Sequence, residues 1–396
     1  DGFAALYSWD PDMHEMGFSV DVWANYYRLI LGANAALDYL DDVRGSVEEK
    51  AYVAAQAYAL RAFYYFNLVN LFGEPYGYNK KALGVPLKLV SSLTDGFDKQ
   101  NTVEEVYARV LADLEEADAY LKGNEVKNHP YRADITAVYL LKSRVYLYMQ
   151  NWKKALEYAN LVLDKRDGLL NLNSHTPDTE VLTKASPETI FSMGGYPLAG
   201  CMYCSREEEN KYPAYVVSED LLSAFIEGDN DWRTQYYIMK ESIGGISTNY
   251  VYTDAWVLPK AKGRENGSNA AEAAAYSGDE TTARTMLKTL RDHRLKESHD
   301  VTESGKELVD LIRRERQCEL CFEGHRWFDL RRYTVCDKFP YSKKITHRYI
   351  KYVKSGFYPV ISTPTEIVEY VLEENDAAYT LTLPKEVLDV QNTLQT

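Results

Sequence analysis

Apolar residues recur at every third or fourth position along much of the chain, and this spacing predicts α-helices that each bury one face. Residues 51–72 are apolar on almost every side, which predicts a deeply buried helix. Residues 102–121 are amphipathic and predict a helix with an acidic outer face. Residues 135–149 and 152–163 predict two helices joined by a short turn, with small residues where they meet. The chain is therefore predicted to be mainly helical.

Helix starts are indicated by the capping box, in which a Ser or Thr and a Glu three residues later satisfy backbone amides at the start of a helix. Four such signatures precede apolar runs, and the last has Pro364 at the first helical position. The signatures are Ser46/Glu49, Thr102/Glu105, Ser304/Glu307 and Thr363/Glu366.

The composition and the apolar spacing of the chain change after residue 167. Helical periodicity fades across residues 168–302, apart from 221–226, and Gly, Pro, Asn and Ser cluster there. Residues 260–279 hold almost no large apolar side chain and predict a loop. Residues 339–362 are rich in Tyr and Val, which favours short strands. An irregular part of the chain is thus predicted to follow a helical scaffold.

The stretch LVDLIRRERQCELCFEGHRWFDLRRY at residues 308–333 combines helical apolar spacing with an unusual density of charge. Charges of opposite sign three or four residues apart predict ion pairs on a helix. Because Trp327 and Phe328 lie among them, we expect some of these charges at a packed junction, where each needs a partner. The segment is predicted to be a helix that joins parts of the fold and binds no ligand.

Within this stretch, the pattern I-R-x-E-R-x-x-E-L-x-F-E-G-x-R-x-F-D-L-R-R resembles the C-terminal hallmark of the SusD/RagB family. Members of that family are outer-membrane lipoproteins that capture nutrients at the cell surface of Bacteroidetes. Four other segments resemble the family in the same order along the chain. They are residues 23–40, 54–76, 221–233 and 379–392.

The resemblance implies a mainly α fold, a right-handed superhelix of tetratricopeptide-like helical hairpins with an irregular loop-rich lobe and minor β structure. Residues 1–396 are then one SusD-like domain. Within it we expect a helical scaffold at 17–167, an irregular, ligand-facing lobe at 168–302, and C-terminal helices with a closing segment at 303–396.

Charge and hydropathy exclude some functions. Subtracting 59 acidic residues from 45 basic ones gives a formal net charge of −14, which repels phosphate backbones, so we expect no nucleic-acid partner. The longest apolar runs are far shorter than the roughly 20 residues of a membrane-spanning helix. The chain begins at Asp1 without a signal peptide. The resemblance implies an export signal and a lipid-modified cysteine upstream, which would anchor the protein to the membrane.

Five cysteines form two widely separated C-x-x-C pairs and one single residue. Two such pairs can hold zinc, but the separation here is far from that of a compact zinc site. Cys318 and Cys321 also fall inside the predicted helix, where cysteine commonly packs as a small apolar residue. We therefore predict no metal and no cofactor. The cysteines are Cys201, Cys204, Cys318, Cys321 and Cys336.

Tyrosine is unusually frequent, at 33 residues against 12 phenylalanines. A tyrosine offers a flat apolar face and a hydrogen-bonding tip, which suits binding of sugars. Helical tyrosines such as Tyr58, Tyr64, Tyr65, Tyr139 and Tyr146 are expected to pack between helices. Aromatic and amide side chains in predicted loops are the candidate ligand contacts. These candidates are Trp9, Tyr76, Tyr78, Tyr196, Tyr203, Asn210, Tyr212, Tyr250, Tyr252 and Trp256.

No catalytic group is predicted. The carboxylates of the charged stretch could form a glycosidase pair, but each has an arginine within four residues along the chain, which disfavours a general acid. Metalloprotease, nucleophile-elbow and phosphate-loop motifs are absent from the sequence, and the seven histidines have no ligand spacing. We predict that the chain is not an enzyme. The carboxylates concerned are Glu315, Glu319, Glu323 and Asp329.

The resemblance implies a surface-exposed lipoprotein of the outer membrane that binds an oligosaccharide and delivers it to a SusC-like TonB-dependent transporter. Two alternatives stay open. The chain could be a peptide-binding member of the family, or a structural adaptor of the transporter without a ligand site of its own.

Overall fold

The computed structural model describes residues 8–9, 22–92, 99–123, 129–176, 179–181, 183, 185–192, 217–243, 253–257, 275–355, 361–385 and 387–389. The chain divides into two compact units. Unit one is Asp1–Asn124 with Trp327–Thr396, and unit two is Glu125–Arg326. The division predicted from the sequence follows composition rather than contacts, and it stays a prediction.

The described part of the chain is mainly helical, as predicted. Its helices include α1 Val22–Asp38, α2 Val47–Phe72, α3 Tyr76–Asn79, α4 Val103–Leu121, α5 Ile135–Tyr148, α6 Trp152–Leu163, α7 Glu219–Ala224, α8 Arg233–Tyr236, α9 Glu280–Arg294, α10 Gly305–Glu319 and α11 Arg326–Thr334. Three antiparallel pairs of strands supply the minor β structure. The strands are β1 Leu83–Pro86, β2 Gln100–Thr102, β3 Met239–Ile243, β4 Thr253–Val257, β5 Ile345–Ser355 and β6 Ile361–Leu372, paired β1–β2, β3–β4 and β5–β6.

Helix α2 is the centre of unit one. Ser46 caps it, because the Ser46 hydroxyl accepts from the Glu49 amide and the Glu49 carboxylate accepts from the Ser46 amide. Small and aromatic side chains then alternate around the helix and are buried on nearly every side, so α1 and α4 both pack against it. Burial of each large apolar side chain contributes roughly 1.5–3 kcal/mol. The predicted deeply buried helix is confirmed.

One buried ion pair ties these three helices together. Arg61 on α2 donates to both oxygens of Asp113 on α4, at 2.8 and 2.7 Å, and to the Asn34 amide oxygen on α1 at 2.8 Å. The Asn34 amide nitrogen in turn donates to the main-chain carbonyls of Lys88 and Val90. Asp113 is fully buried, so its charge needs cations beside it, and Arg109 on α4 supplies a second one at 2.7 Å.

In unit two, α5 and α6 form the predicted helical hairpin. Gln150 adopts a positive φ of 60° in the turn, and the Asn151 side chain accepts from the Lys154 amide to cap α6. Ala155 and Ala159 are buried, and the Ser143 hydroxyl donates to the Ala155 carbonyl at 2.8 Å, so the two helices approach closely. The right-handed superhelical arrangement of such hairpins stays a prediction.

Three predictions about helix boundaries are wrong. Residues 280–294 form helix α9, with Ala283 and Leu287 buried on one face, although helical periodicity in the stretch 168–302 was predicted only at 221–226. The charged stretch at 308–333 is two helices, α10 and α11, because the chain turns between them with positive φ at Phe322 and Gly324. Thr363 and Pro364 begin no helix, since they lie in strand β6 and pair with β5. Alternating β-branched and aromatic residues along both strands outweigh the local capping signature.

The capping signatures at Ser46 and Thr102 both form complete capping boxes. Ser304 is the N-cap residue of α10, but its side chain makes no capping hydrogen bond. Among the described residues, no helix has the length and apolar character needed to cross a membrane.

Candidate functional site

Two of the candidate tyrosines, Tyr76 and Tyr78, follow the exit of α2 in unit one. Gly73 follows the last helical residue at a point where a side chain has no room, because a Cβ atom there would lie 2.8 Å from the Val69 carbonyl oxygen and 3.1 Å from a Val103 methyl group. Pro75 then opens the short helix α3, and its carbonyl accepts from the amides of Tyr78 and Asn79. The chain therefore turns sharply off the scaffold just before Tyr76.

The two tyrosines of α3 differ in their surroundings. Tyr76 is half-buried, with its ring centroid 4.9 Å from that of Tyr107 on α4. The Tyr107 hydroxyl donates to the Asn70 amide oxygen at 2.9 Å, which fixes the surface on which Tyr76 packs. The side chain of Tyr78 is 69% exposed. Tyr76 is thus held by the scaffold, whereas Tyr78 offers its ring to solvent.

Charged groups border these rings. The Lys80 ammonium lies 5.9 Å from the Tyr76 ring centroid and 2.7 Å from a Glu104 carboxylate oxygen, and Lys81 donates to the other oxygen. These hydrogen bonds, first from Lys80 and then from Lys81, lower the pKa of Glu104 from 4.5 to about 2. The same carboxylate raises the pKa of Lys80. At neutral pH the cluster consists of two ammonium groups around one carboxylate.

This arrangement supplies what recognition of a sugar requires. A pyranose ring has an apolar C–H face that can lie on an exposed aromatic ring, and hydroxyls at its rim that need donors and acceptors. Tyr78 offers the ring, and Asn79, Lys80, Lys81 and Glu104 offer exposed or half-buried polar groups beside it. The charged members were not among the predicted contacts, because only the packing of α4 beside α3 brings Glu104 to the two lysines.

Trp9 lies elsewhere in unit one and is packed against other rings. Its ring is stacked on His347 of β5 at 4.2 Å and on Trp327 of α11 at 5.9 Å, and it contacts the core cluster around Leu330 and Leu372. The backbone at Trp9 has a positive φ of 61°. The described contacts of Trp9 do not include Tyr76 or Tyr78, and a role for Trp9 in ligand contact stays a prediction.

The side chains of the remaining seven candidates are not among those that the structure describes. Trp256 lies in strand β4, opposite Lys240 of β3. The other six lie outside the described residues, and their proposed roles stay predictions. They are Tyr196, Tyr203, Asn210, Tyr212, Tyr250 and Tyr252.

The carboxylates of α10 are engaged by arginines inside unit two. Glu315 accepts from Arg233 at 2.6 Å and from Arg291 at 3.0 Å, and Glu319 accepts from Arg294 at 2.8 Å. Arg233 also bonds to Asp231, at 2.8 Å. Each of these residues is at least nine-tenths buried. Glu315 and Glu319 of the charged stretch are thus part of a buried ion-pair network, and a buried carboxylate bonded to arginine is a poor general acid.

The three cysteines within the described ranges, Cys318, Cys321 and Cys336, are buried. Cys318 and Cys321 lie in an apolar cluster with Leu221, Phe225 and Tyr237. Burial raises the pKa of the Cys318 thiol well above its ordinary value, which keeps it protonated and makes it a poor metal ligand. The predicted packing role of Cys318 and Cys321 is confirmed, while Cys201 and Cys204 lie outside the described residues.

Helical tyrosines pack as predicted. Tyr64, Tyr65, Tyr139 and Tyr146 are buried. Tyr58 is stacked on Tyr120 of α4, with 6.0 Å between the ring centroids. These tyrosines therefore stabilise the helical scaffold. Among the described residues, two predicted ligand contacts, Tyr76 and Tyr78, lie together at the exit of α2.

Known proteins are similar to this chain in both sequence and fold. Residues 7–147 match a SusD-like family model described as "Starch-binding associating with outer membrane", and residues 269–395 match the model of the SusD family. A SusD-like protein of Formosa agariphila is 23% identical over 372 residues, which span 78% of this chain and 71% of that protein.

Solved structures share the fold. A SusD superfamily protein of Bacteroides vulgatus superposes with a TM-score of 0.71 at 21% identity, over 98% of this chain and 87% of that one. A laminarin-binding SusD-like protein superposes with a TM-score of 0.57 at 21% identity, over 79% of this chain and 77% of that one. Two family models at opposite ends of the chain, and a fold shared along nearly its whole length, agree with the pattern at residues 312–332, and the chain belongs to the SusD/RagB family.

Proposed function

We propose that this protein binds an oligosaccharide and that the α2 exit, with Tyr76 and Tyr78, forms part of the binding site. The observation that carries the proposal is Tyr78, a residue that is 69% exposed on a short helix beside the scaffold. An exposed aromatic ring held in place loses little conformational entropy when a sugar stacks on it. Family members include a laminarin-binding protein of the same fold, which supports a glycan as the ligand.

The site works by reversible binding and not by catalysis. Glu315 and Glu319 of α10 are buried and bonded to arginines, which disfavours a general-acid role. Affinity comes from stacking on Tyr78 and from a few hydrogen bonds to Asn79, Lys80, Lys81 or Glu104. Stacking of this kind suits transient capture followed by release.

The protein further acts at the cell surface as a lipoprotein of the outer membrane and passes its ligand to a SusC-like TonB-dependent transporter. The family description, which associates such proteins with the outer membrane and with starch, supports this placement. A lipid anchor upstream of Asp1 would hold the protein beside the transporter.

A binding screen tests the proposed function. The purified protein is titrated calorimetrically with laminarin oligosaccharides, starch oligosaccharides and a panel of mixed peptides. We expect saturable binding of at least one glycan and no comparable binding of the peptides. Binding of peptides alone would contradict the proposal and favour the peptide-capturing alternative. Binding of neither, together with normal transporter assembly in cells, would favour a structural adaptor.

A further inference from the structure

Arg331 of α11 contacts the exit of α2 directly. Its guanidinium donates to the main-chain carbonyl of Asn70, to the Gly73 carbonyl at 2.7 Å and to the Thr380 hydroxyl at 2.9 Å. Arg331 is buried, and it lies 258 residues from Gly73 along the chain. One side chain of the family pattern therefore holds the point where the chain leaves the scaffold toward Tyr76.

The carbonyls that Arg331 contacts are groups that a helix cannot satisfy by itself. The last four carbonyls of an α-helix have no partner in the following turn, and a cation at this end also interacts favourably with the helix dipole. A second contact acts on the same turn, because the Leu381 amide donates to the Leu71 carbonyl at 2.9 Å. The end of α2 is thus closed by α11 and by the segment at Thr380 and Leu381.

The same turn is linked to the candidate site by a continuous set of contacts. Asn70 is held through its main chain by Arg331 and through its side chain by the Tyr107 hydroxyl. The Tyr107 ring packs against Tyr76, two residues before Tyr78. A shift of the Asn70–Gly73 turn therefore displaces both the start of α3 and the surface beneath Tyr76.

We propose that Arg331 is a positioning residue that sets the orientation of Tyr76 and Tyr78 for ligand binding. This inference rests on the proposed function. The planar guanidinium can bridge two carbonyls at once, whereas the single ammonium of lysine is a point donor on a flexible chain. Arginine is consequently the side chain that fixes the Asn70 and Gly73 carbonyls in one mutual orientation.

Hydrogen exchange tests the positioning role without any ligand. Arg331→Lys and Thr380→Val are compared with the wild type, and Arg332→Lys serves as the control, because Arg332 is a buried arginine on the same helix that bonds to Asp329. We expect exchange in residues 70–79 to rise about tenfold in Arg331→Lys, and by a smaller factor in Thr380→Val, since a charge-assisted hydrogen bond is lost or weakened. Unchanged exchange there in both variants, or an equal rise in Arg332→Lys, would overturn the proposal.

Titration with laminarin oligosaccharides supplies the second arm. We expect Arg331→Lys to weaken binding about tenfold in the wild-type background and to have no further effect when Tyr76 and Tyr78 are both alanine, because coupled residues are not additive. Equal losses in both backgrounds would contradict a role through the tyrosines. If the wild type binds no glycan, the proposed function fails, and the exchange measurement still decides whether Arg331 positions this turn.

Discussion

Tyrosine residues of unit one show how one side chain serves two purposes. The Tyr65 hydroxyl is buried and satisfied twice, because it donates to the Lys88 carbonyl and accepts from the Lys88 amide, both at 2.7 Å. Tyr78 carries the same chemical groups but leaves them exposed to solvent. A buried hydroxyl needs a partner in the fold, while an exposed one is available to a ligand. Burial therefore separates the scaffold tyrosines from the candidate contacts.

Arg233 is the residue on which the buried charges of unit two depend. It contacts Asp231, Glu315 and Glu319, and its removal leaves these carboxylates short of a cation inside the protein. We expect Arg233→Ala to lower the free energy of unfolding by about 3–5 kcal/mol, measured by urea denaturation. The expected loss is large because the three carboxylates are already removed from water and need the Arg233 charge beside them.

The matched control is Arg284→Ala in the same unit. Arg284 pairs with Glu280 one turn away on α9, with side chains 30% and 36% exposed. Pairs of this kind contribute about 0–1 kcal/mol, so the control should change the free energy of unfolding far less. Equal losses of the free energy of unfolding in the two variants would contradict the prediction that Arg233 stabilises the buried ion pairs of unit two.

At the scale of elements, helix starts depend on whether the local signal is realised in three dimensions. Three signatures precede helices, but only those at Ser46 and Thr102 place the hydroxyl against the amide three residues on. The fourth, at Thr363, lies in β6, where pairing with β5 satisfies the backbone instead. A capping sequence is a local preference that strand pairing can override.

This difference predicts the effect of removing each cap. Ser46→Ala and Thr102→Ala should each lower the free energy of unfolding by about 1 kcal/mol, because each loses a side-chain hydrogen bond at a helix start. Ser304→Ala should have a clearly smaller effect, since its side chain makes no such bond. Thermal denaturation of the three variants compares these effects, and a loss at Ser304 as large as at Ser46 would contradict the geometry.

At the scale of the whole molecule, the sequence predicts the helices and the identity of the family but not the long-range contacts. The apolar pattern was sufficient for α2, which is apolar on nearly every side, and for α4 and the α5–α6 hairpin, which have repeating apolar positions. The break between α10 and α11 depends on positive φ at Phe322. Positive φ is uncommon for a residue other than glycine, so the sequence does not indicate this break. The contact of Arg331 with Gly73 joins residues far apart in the chain, and no local pattern encodes such a pair.

The candidate site shows the same division. Tyr76 and Tyr78 could be predicted because Gly73 and Pro75 end the helix just before them. The Lys80, Lys81 and Glu104 cluster could not, since it needs α4 to be packed beside α3. Trp9 was expected in an open loop, whereas its ring is stacked on His347, a residue that only the folded chain brings near.

The most direct test of the central claim is the glycan affinity of a variant in which Tyr76 and Tyr78 are both replaced by alanine. Tyr39→Ala is the control, because Tyr39 is 60% exposed in the same unit and lies outside the site. With the glycan that the wild type binds best, calorimetry should show a loss of affinity of about 5- to 150-fold for the double variant, since each lost aromatic stacking contact is worth roughly 0.5–1.5 kcal/mol, and an unchanged value for the control. Unchanged affinity in the double variant would contradict the assignment of the α2 exit as a binding site.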